Sequence, residues 1–241
     1  MNRIQIGPLA TAVESPSQTR SKLRTEPARQ PREFQPSLFV PLHYEKNYAY
    51  PLIVWLHSNG DDQSQVLRIM PTLSLRNFVS VAPQAADGNN PCGFFWEQTV
   101  HGIEHAQAAV KDAINYAQIK LNIASHRIFL AGYGAGGTMA FRVGLQLSQI
   151  LAGVISINGP LPNGMTPLRD WMTCRKVPVF WAHCRKSKEF NEKLLCDQLK
   201  LLHVAGFNVT LRQYPNGDEL PAHSLTDLNR WVMESIETAI V

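Results

Sequence analysis

One segment constrains this chain more than any other: Arg127–Ile128–Phe129–Leu130–Ala131–Gly132–Tyr133–Gly134–Ala135–Gly136–Gly137. An apolar run of strand character enters a stretch with glycine at 132, 134, 136 and 137. Beyond it, Met139, Ala140, Phe141, Val143 and Leu145 fill a stretch of helical length. A strand, a tight glycine turn and a helix opening follow one another with no spare residues. Such a unit lets backbone approach backbone at the turn, and it is half of a βαβ crossover.

The flanking sequence repeats this alternation. Strands are expected at Leu38–Tyr44, Leu52–His57, Phe78–Pro83, Arg127–Ala131, Ala152–Ile157, Pro178–His183 and Asn208–Tyr214. Helices are expected at Ser64–Leu75 (interrupted at Pro71), His101–Leu121, Ala135–Leu147, Glu189–Ala205 (with Gly206 as its C-cap) and Ser224–Ile240. In His101–Leu121 the apolar residues Ile103, Ala106, Val110, Ala113, Ile114 and Ala117 keep helical spacing. Strands alternating with helices of this length imply an α/β fold with a mostly parallel sheet covered on both faces. Ligands of such sheets bind at the carboxyl ends of the strands. Here those ends are His57-Ser58-Asn59, Pro83-Gln84, Gly132–Gly136, Asn158-Gly159, His183-Cys184 and Pro215–Asp218.

Residues 1–36 read differently. They are rich in Pro, Ser, Gln and Thr, and carry Arg3, Arg20, Lys22, Arg24, Arg29 and Arg32 against Glu14, Glu26 and Glu33. Without apolar periodicity, this segment is expected to be a disordered basic tail, with residues 37–241 forming the domain. The tail is the segment through which a protein partner would be recruited, although a plainly solvated tail explains it as well. Most of the +4 net charge resides there, which leaves no basic patch for nucleic acid. Cys92, Cys174, Cys184 and Cys196 show no CxxC spacing and read as reduced thiols, with no disulfide framework or zinc site. No apolar run reaches the roughly 20 residues of a membrane span. Ile4–Val13 is too short and interrupted for a signal peptide. The expectation is a soluble cytoplasmic protein.

Several segments, in order, now carry a resemblance. They are Leu52–Gly60, Arg76–Pro83, Gly93-Phe94-Phe95-Trp96, the glycine turn, Phe180-Trp181-Ala182-His183, and Arg212–Leu220. The chain resembles the phospholipase/carboxylesterase branch of the α/β-hydrolase superfamily, with dienelactone hydrolases as cousins, over residues 37–240. The resemblance implies the α/β-hydrolase fold, a central sheet between two helical layers. It also implies ester chemistry by a Ser nucleophile on a G-x-S-x-G elbow, a His base and an Asp that orients it. In this sequence the nucleophile position holds Gly134, the acid position Ser187 and the base position Asp218. What the resemblance leaves intact is an oxyanion hole of backbone N–H groups, from Ala135 and from Ser58 or Asn59. Trp96 and Tyr133, in loops expected to face the site, are the candidate pocket side chains.

The resulting expectation is a pseudohydrolase that binds a small acyl or carboxylate ligand, or a protein partner, with no cofactor and no metal. Two alternatives remain open. One is an active ester hydrolase with a relocated nucleophile, for which Ser58, Cys184 and Cys92 are candidates and His223 a candidate base. The other is a dinucleotide-binding protein, because Gly132-x-Gly134-x-x-Gly137 also matches G-x-G-x-x-G between strand and helix. The acidic ribose ligand expected at the next strand end is missing: Ala152–Ile157 ends in Asn158-Gly159. His101-x-x-Glu104-His105 matches a zinc-peptidase pattern but reads better as a solvated helix face. Trp55, Trp96, Trp171, Trp181 and Trp231 together could form a binding box, but Trp55 and Trp181 lie on expected strands and Trp231 on an expected helix, so core packing is the better reading.

Overall fold

A computed structural model describes residues 35–86, 93–164 and 171–238. Residues 1–34 of the expected tail and Cys92 lie outside the described residues, as does the side chain of Trp171. The strands are β1 (Ser37–Phe39), β2 (Tyr50–Leu56), β3 (Val79–Ala82), β4 (Ile123–Tyr133), β5 (Gly153–Ile157), β6 (Val179–Cys184) and β7 (Val209–Tyr214). The helices are α1 (Gln65–Leu73), α2 (Val100–Lys120), α3 (Ala135–Gln146), α4 (Trp171–Cys174), α5 (Glu192–Val204) and α6 (Ala222–Thr238). They build a seven-stranded sheet in the order β1-β3-β2-β4-β5-β6-β7. Only β1 runs antiparallel, pairing with β3 at the edge. This is the α/β-hydrolase arrangement of a mostly parallel sheet between helices.

The central strands are apolar without interruption because both faces are covered. Along β2, Leu52, Val54 and Leu56 join one core with residues of α2, α3 and α5. Ile53 and Trp55 point the other way, into a second core with α1 and α6. The strand period of two thus divides a continuous hydrophobic run between two layers.

Some elements differ from expectation for local reasons. β1 stops at Phe39, well short of Tyr44, and Pro41 follows in a turn. Pro cannot donate to a ladder. β4 begins at Ile123 because that residue pairs with Tyr50 across a register shift, and Pro51 occupies the shift. Pro71 is tolerated inside α1, one turn from the C-cap Ser74. α2 starts at Val100, capped by Thr99, whose hydroxyl accepts from Gly102 N–H at 3.0 Å. α5 starts at Glu192, later than expected, where Asn191 accepts from Leu194 N–H at 2.9 Å.

Strand order locates the crevice. From β2 the chain moves outward to β3, then returns to lay β4 on the other side of β2. That reversal makes the carboxyl ends of β2 and β4 the topological switch point, where α/β sheets open a cleft. The loop after β2 carries His57-Ser58-Asn59, and the turn after β4 is the glycine turn.

Candidate functional site at the carboxyl edge of the sheet

The turn after β4 is built around Gly134, at φ 55° and ψ −120°. Its N–H donates to the Ile157 carbonyl at 2.8 Å, and its carbonyl accepts from Thr138 N–H at 3.1 Å. The glycines around it serve close packing. A Cβ on Gly136 would fall well under 3.0 Å from the carbonyl oxygens of Leu56 and His57, and one on Gly132 would collide with the backbone of Gly136. Gly134 differs. A Cβ there would meet only the Ser58 Cβ, at 4.0 Å. The backbone is in the strained elbow conformation while the place of a side chain stands open. Immediately after it, the N–H groups of α3's first turn, Ala135 foremost, have no partner within the helix.

The loop after β2 is held from several sides. His57 is fully buried. Its Nε2 accepts from Ala85 N–H at 3.1 Å, which places the proton on Nδ1, 2.8 Å from the Ser58 carbonyl. Burial keeps this imidazole below its usual pKa, against the opposing pull of the Ser58 carbonyl. Trp96 donates its indole N–H to the His57 carbonyl at 2.9 Å. At 5% exposure it is turned inward onto His57 and presents little surface to a ligand. Gln65, at the start of α1, accepts from Trp55 and donates to Ser58 Oγ at 3.0 Å and to Asp61 at 2.7 Å. Asn59 is exposed at the tip of this loop.

Across the crevice, Ser187 and Asp218 are hydrogen-bonded. Ser187 Oγ donates to Asp218 Oδ1 at 2.6 Å, and it accepts from Phe190 N–H at 3.1 Å and from the Asn158 amide at 3.2 Å. One donor and two acceptors exhaust a hydroxyl. The Ser187 bond holds the Asp218 carboxyl below the ordinary carboxylate range, assisted by Lys188 N–H at 3.3 Å. Tyr133 donates its hydroxyl to the Asp218 carbonyl, which ties the end of β4 to the loop after β7. Burial, with Cys184 and Asp218 adding to it, pushes the Tyr133 phenol up to about 12. The elbow, Ser187, Asp218 and the loop after β2 therefore meet at one edge.

Asn158 had no role in the sequence reading beyond ending a strand, yet it organises this edge. It is 7% exposed, at φ 53°, and its carbonyl oxygen accepts from Cys184 N–H at 3.3 Å. Asn is among the few non-glycine residues that accept a left-handed backbone readily, so an Asn-Gly pair ending a strand was the available signal.

Of the other candidate nucleophiles and bases, Cys92 lies outside the described residues, and the structure shows the surroundings of the rest. Cys184 is fully buried, and burial together with the Asp218 charge raises its thiol to about 11. Ser58 has His57 as its neighbour, but both ring nitrogens of His57 are engaged. His183, at the end of β6, gives one nitrogen to the Phe190 carbonyl and turns the other to Gln213. His223 is exposed in the first turn of α6. His101, Glu104 and His105 are exposed near the start of α2, while Ile103 and Ala106 of the same turns are buried. Trp55 and Trp181 are fully buried and Trp231 nearly so.

A family model described as phospholipase/carboxylesterase matches residues 44–236. The chain belongs to this family. Solved structures agree on the fold. A Bacillus cereus carboxylesterase aligns with TM-score 0.66 at 15% identity, covering 85% of this chain and 95% of its own. Zea mays acyl-protein thioesterase 2 aligns with TM-score 0.63 at 18% identity, covering 84% and 99%. Arabidopsis thaliana SOBER1 aligns with TM-score 0.67 at 18% identity, covering 78% and 100%. At such identities the likeness establishes architecture, and this chain's own residues must carry any statement about chemistry.

Proposed function

We propose that this member of the phospholipase/carboxylesterase family is a degenerate hydrolase, one that binds a small carbonyl- or carboxylate-bearing ligand, or a protein partner, without efficient ester turnover. The observation that carries the reading is the Ser187–Asp218 hydrogen bond beside a glycine elbow. In a working member the acid accepts a proton from an imidazole, and the imidazole accepts one from the nucleophile. Here the acid position is a hydroxyl that donates, the base position is a carboxylate that receives, and the nucleophile position has no side chain. The bond between the second and third positions persists with its polarity reversed. It ends as a closed clasp that cannot pass a proton toward Gly134.

Binding needs less than catalysis. Ala135 N–H at the head of α3 and the N–H groups of the Ser58-Asn59 loop are backbone donors that do not depend on a side chain, and a helix N-terminus favours a partial negative charge. Such remnants alone sustain roughly 10³–10⁴-fold acceleration over water in serine proteases. That sets the ceiling expected here. The dinucleotide alternative finds no support at the end of β5, where the Asn158 amide is committed to Ser187.

The test is hydrolysis of short-chain p-nitrophenyl esters and thioesters by the unmodified protein, beside Ser58→Ala and Cys184→Ala. Turnover at background level is expected for all three. One observation favours a second reading, an active hydrolase using Ser58: its Cβ lies 4.0 Å from where a Gly134 Cβ would stand. Turnover lost in Ser58→Ala would establish that reading and end the first. We also propose that residues 1–36 form a tail to a domain spanning 37–241, and that the protein is cytoplasmic. Among the described residues, no helix is long and apolar enough to cross a membrane.

A further inference from the structure

The opposite edge of the sheet holds a second feature. A cavity of about 250 Å³ opens where β2 begins and the chain turns into β3. β2 advances about 3.3 Å per residue from Tyr50 to the loop after Leu56, so the cavity lies roughly 20 Å from the crevice described above. Tyr48 and Tyr50 form an aromatic wall, edge to face at 4.7 Å between ring centres, with Tyr44 stacked on Tyr50 at 5.1 Å. Met233 and Ile236 of α6 contribute an apolar side. Arg76 and Glu45 bring charge to the lining, which Pro51 and Asn77 complete.

The charges in this lining are unspent. Among the described residues, no hydrogen bond or ion pair engages the Arg76 guanidinium or the Glu45 carboxylate, and the two do not pair with each other. Tyr50 Oη accepts from Glu45 N–H at 3.2 Å, which leaves its own proton free to donate. An arginine with five planar donors beside an aromatic wall is the chemistry that recognises a carboxylate carried on a ring. Glu45 adds a pole for a hydrogen-bond donor elsewhere on the same molecule. Pockets that hold small molecules combine an apolar body with a few such groups.

We infer that this cavity is a binding site for a small aromatic carboxylic acid bearing a ring hydroxyl, with its carboxylate on Arg76 and its ring against Tyr48, Met233 and Ile236. The site is independent of the carboxyl-edge crevice and needs no chemistry from it.

The experiment uses 4-hydroxybenzoate as probe and the full chain, followed by isothermal titration and by saturation-transfer NMR. Binding in the millimolar range or tighter is expected. Arg76→Gln should weaken it at least tenfold, and Tyr48→Ala should also weaken it. Both residues are exposed, so neither change should disturb folding. 4-Hydroxybenzyl alcohol, which keeps the ring hydroxyl and lacks the carboxylate, should bind no better than the Arg76→Gln protein binds the acid. No saturation up to 10 mM, or binding insensitive to Arg76→Gln, would overturn the proposal; the second result would place the ligand elsewhere on the molecule, the carboxyl edge included.

Discussion

Gly134 and Gly136 lie two residues apart in one turn, and the structure predicts opposite consequences for adding a methyl group to each. At Gly134 the added Cβ has open space, its nearest neighbour being Ser58 Cβ at 4.0 Å. The cost is conformational. A Cβ-bearing residue held at φ 55° and ψ −120° is strained by about 1–3 kcal/mol. Lower entropy of the unfolded chain offsets roughly 0.4–1 kcal/mol of that. The net loss for Gly134→Ala or Gly134→Ser is therefore about 1–2 kcal/mol, a fall in Tm of roughly 2–8 °C for a domain of this size. At Gly136 the same methyl is driven into the carbonyls of Leu56 and His57, which are fixed by the sheet. Neither oxygen can retreat without breaking β2 away from β4, so the loss should exceed about 3 kcal/mol, the upper range for overpacking a core.

Thermal and urea denaturation of the three variants beside the unmodified protein measure both quantities. Gly134→Ser should remain folded with a modest deficit, and Gly136→Ala should lose at least about half as much again or fail to accumulate. Equal losses would mean that something fills the space at the elbow, and the pocket argued for above would go with it. A gain in stability from Gly134→Ala would mean that residue 134 is not at positive φ, and the strand–elbow–helix geometry would be wrong.

Other consequences are simpler to state. The triple change Gly134→Ser, Ser187→Asp, Asp218→His should create esterase activity where Gly134→Ser alone creates little, since a serine without a base is a weak nucleophile; a folded, inert triple variant would refute the assignment of the three positions. Ser187→Ala leaves the Phe190 N–H and one Asn158 amide proton without their acceptor and should cost about 1–3 kcal/mol in urea denaturation, and no loss would show the clasp to be ornamental. His57 is held neutral, with its folded pKa below 6.5. Its contribution should therefore be complete above pH 6.5 and fall as the pH drops through that value, because the unfolded chain takes up the proton first, with a limiting slope of about 1.4 kcal/mol per pH unit. His57→Gln should flatten that part of the stability profile. At pH 8, a thiol reagent should react with exposed Cys196 and spare Cys184, whose thiol stays protonated to about 11; a reaction rate changed by Cys184→Ser would contradict its burial.

How much of this was legible in the sequence depends on what each feature rests on. The sheet was legible because short continuous apolar runs alternate along the chain with stretches of helical spacing, and the crevice followed from where parallel strands end. Positions 187 and 218 came from counting along motifs, and their side chains stand 2.6 Å apart. The misjudged details depend on direction rather than pattern. Trp96 sits in the expected loop, but its indole N–H finds the buried His57 carbonyl, and an amphipathic ring that can satisfy its one donor inside will turn inward. Asn158 was legible as an Asn-Gly pair ending a strand, but its role was not, because that role depends on a backbone dihedral and on two loops from later in the chain.

Under the function proposed above, that last residue also explains why exchanging the three triad positions need not loosen the fold. Removing an imidazole from between a carboxylate and a nucleophile would ordinarily strand buried donors and acceptors, each at a cost of about 1–3 kcal/mol. In this chain positions 187 and 218 hold groups that satisfy one another. Asn158 donates to Ser187, Ser187 donates to Asp218, and Tyr133 donates to the Asp218 carbonyl. The ends of β4 and β5 and the loops after β6 and β7 are thereby joined through four side chains. A surface that had merely decayed would show polar groups facing solvent singly. A connected network of this kind, beside an open glycine elbow, fits the rigid binding edge that the proposed function calls for. Asp218→Asn tests this directly: it keeps the size but removes the charge that accepts from Ser187. If rigidity is the function, hydrogen exchange at the amides of Ser187, Lys188 and Phe190 should accelerate in that variant while the protection of β2 and β4 stays unchanged. Uniform exchange across the edge in both proteins would show that the clasp carries no structural role.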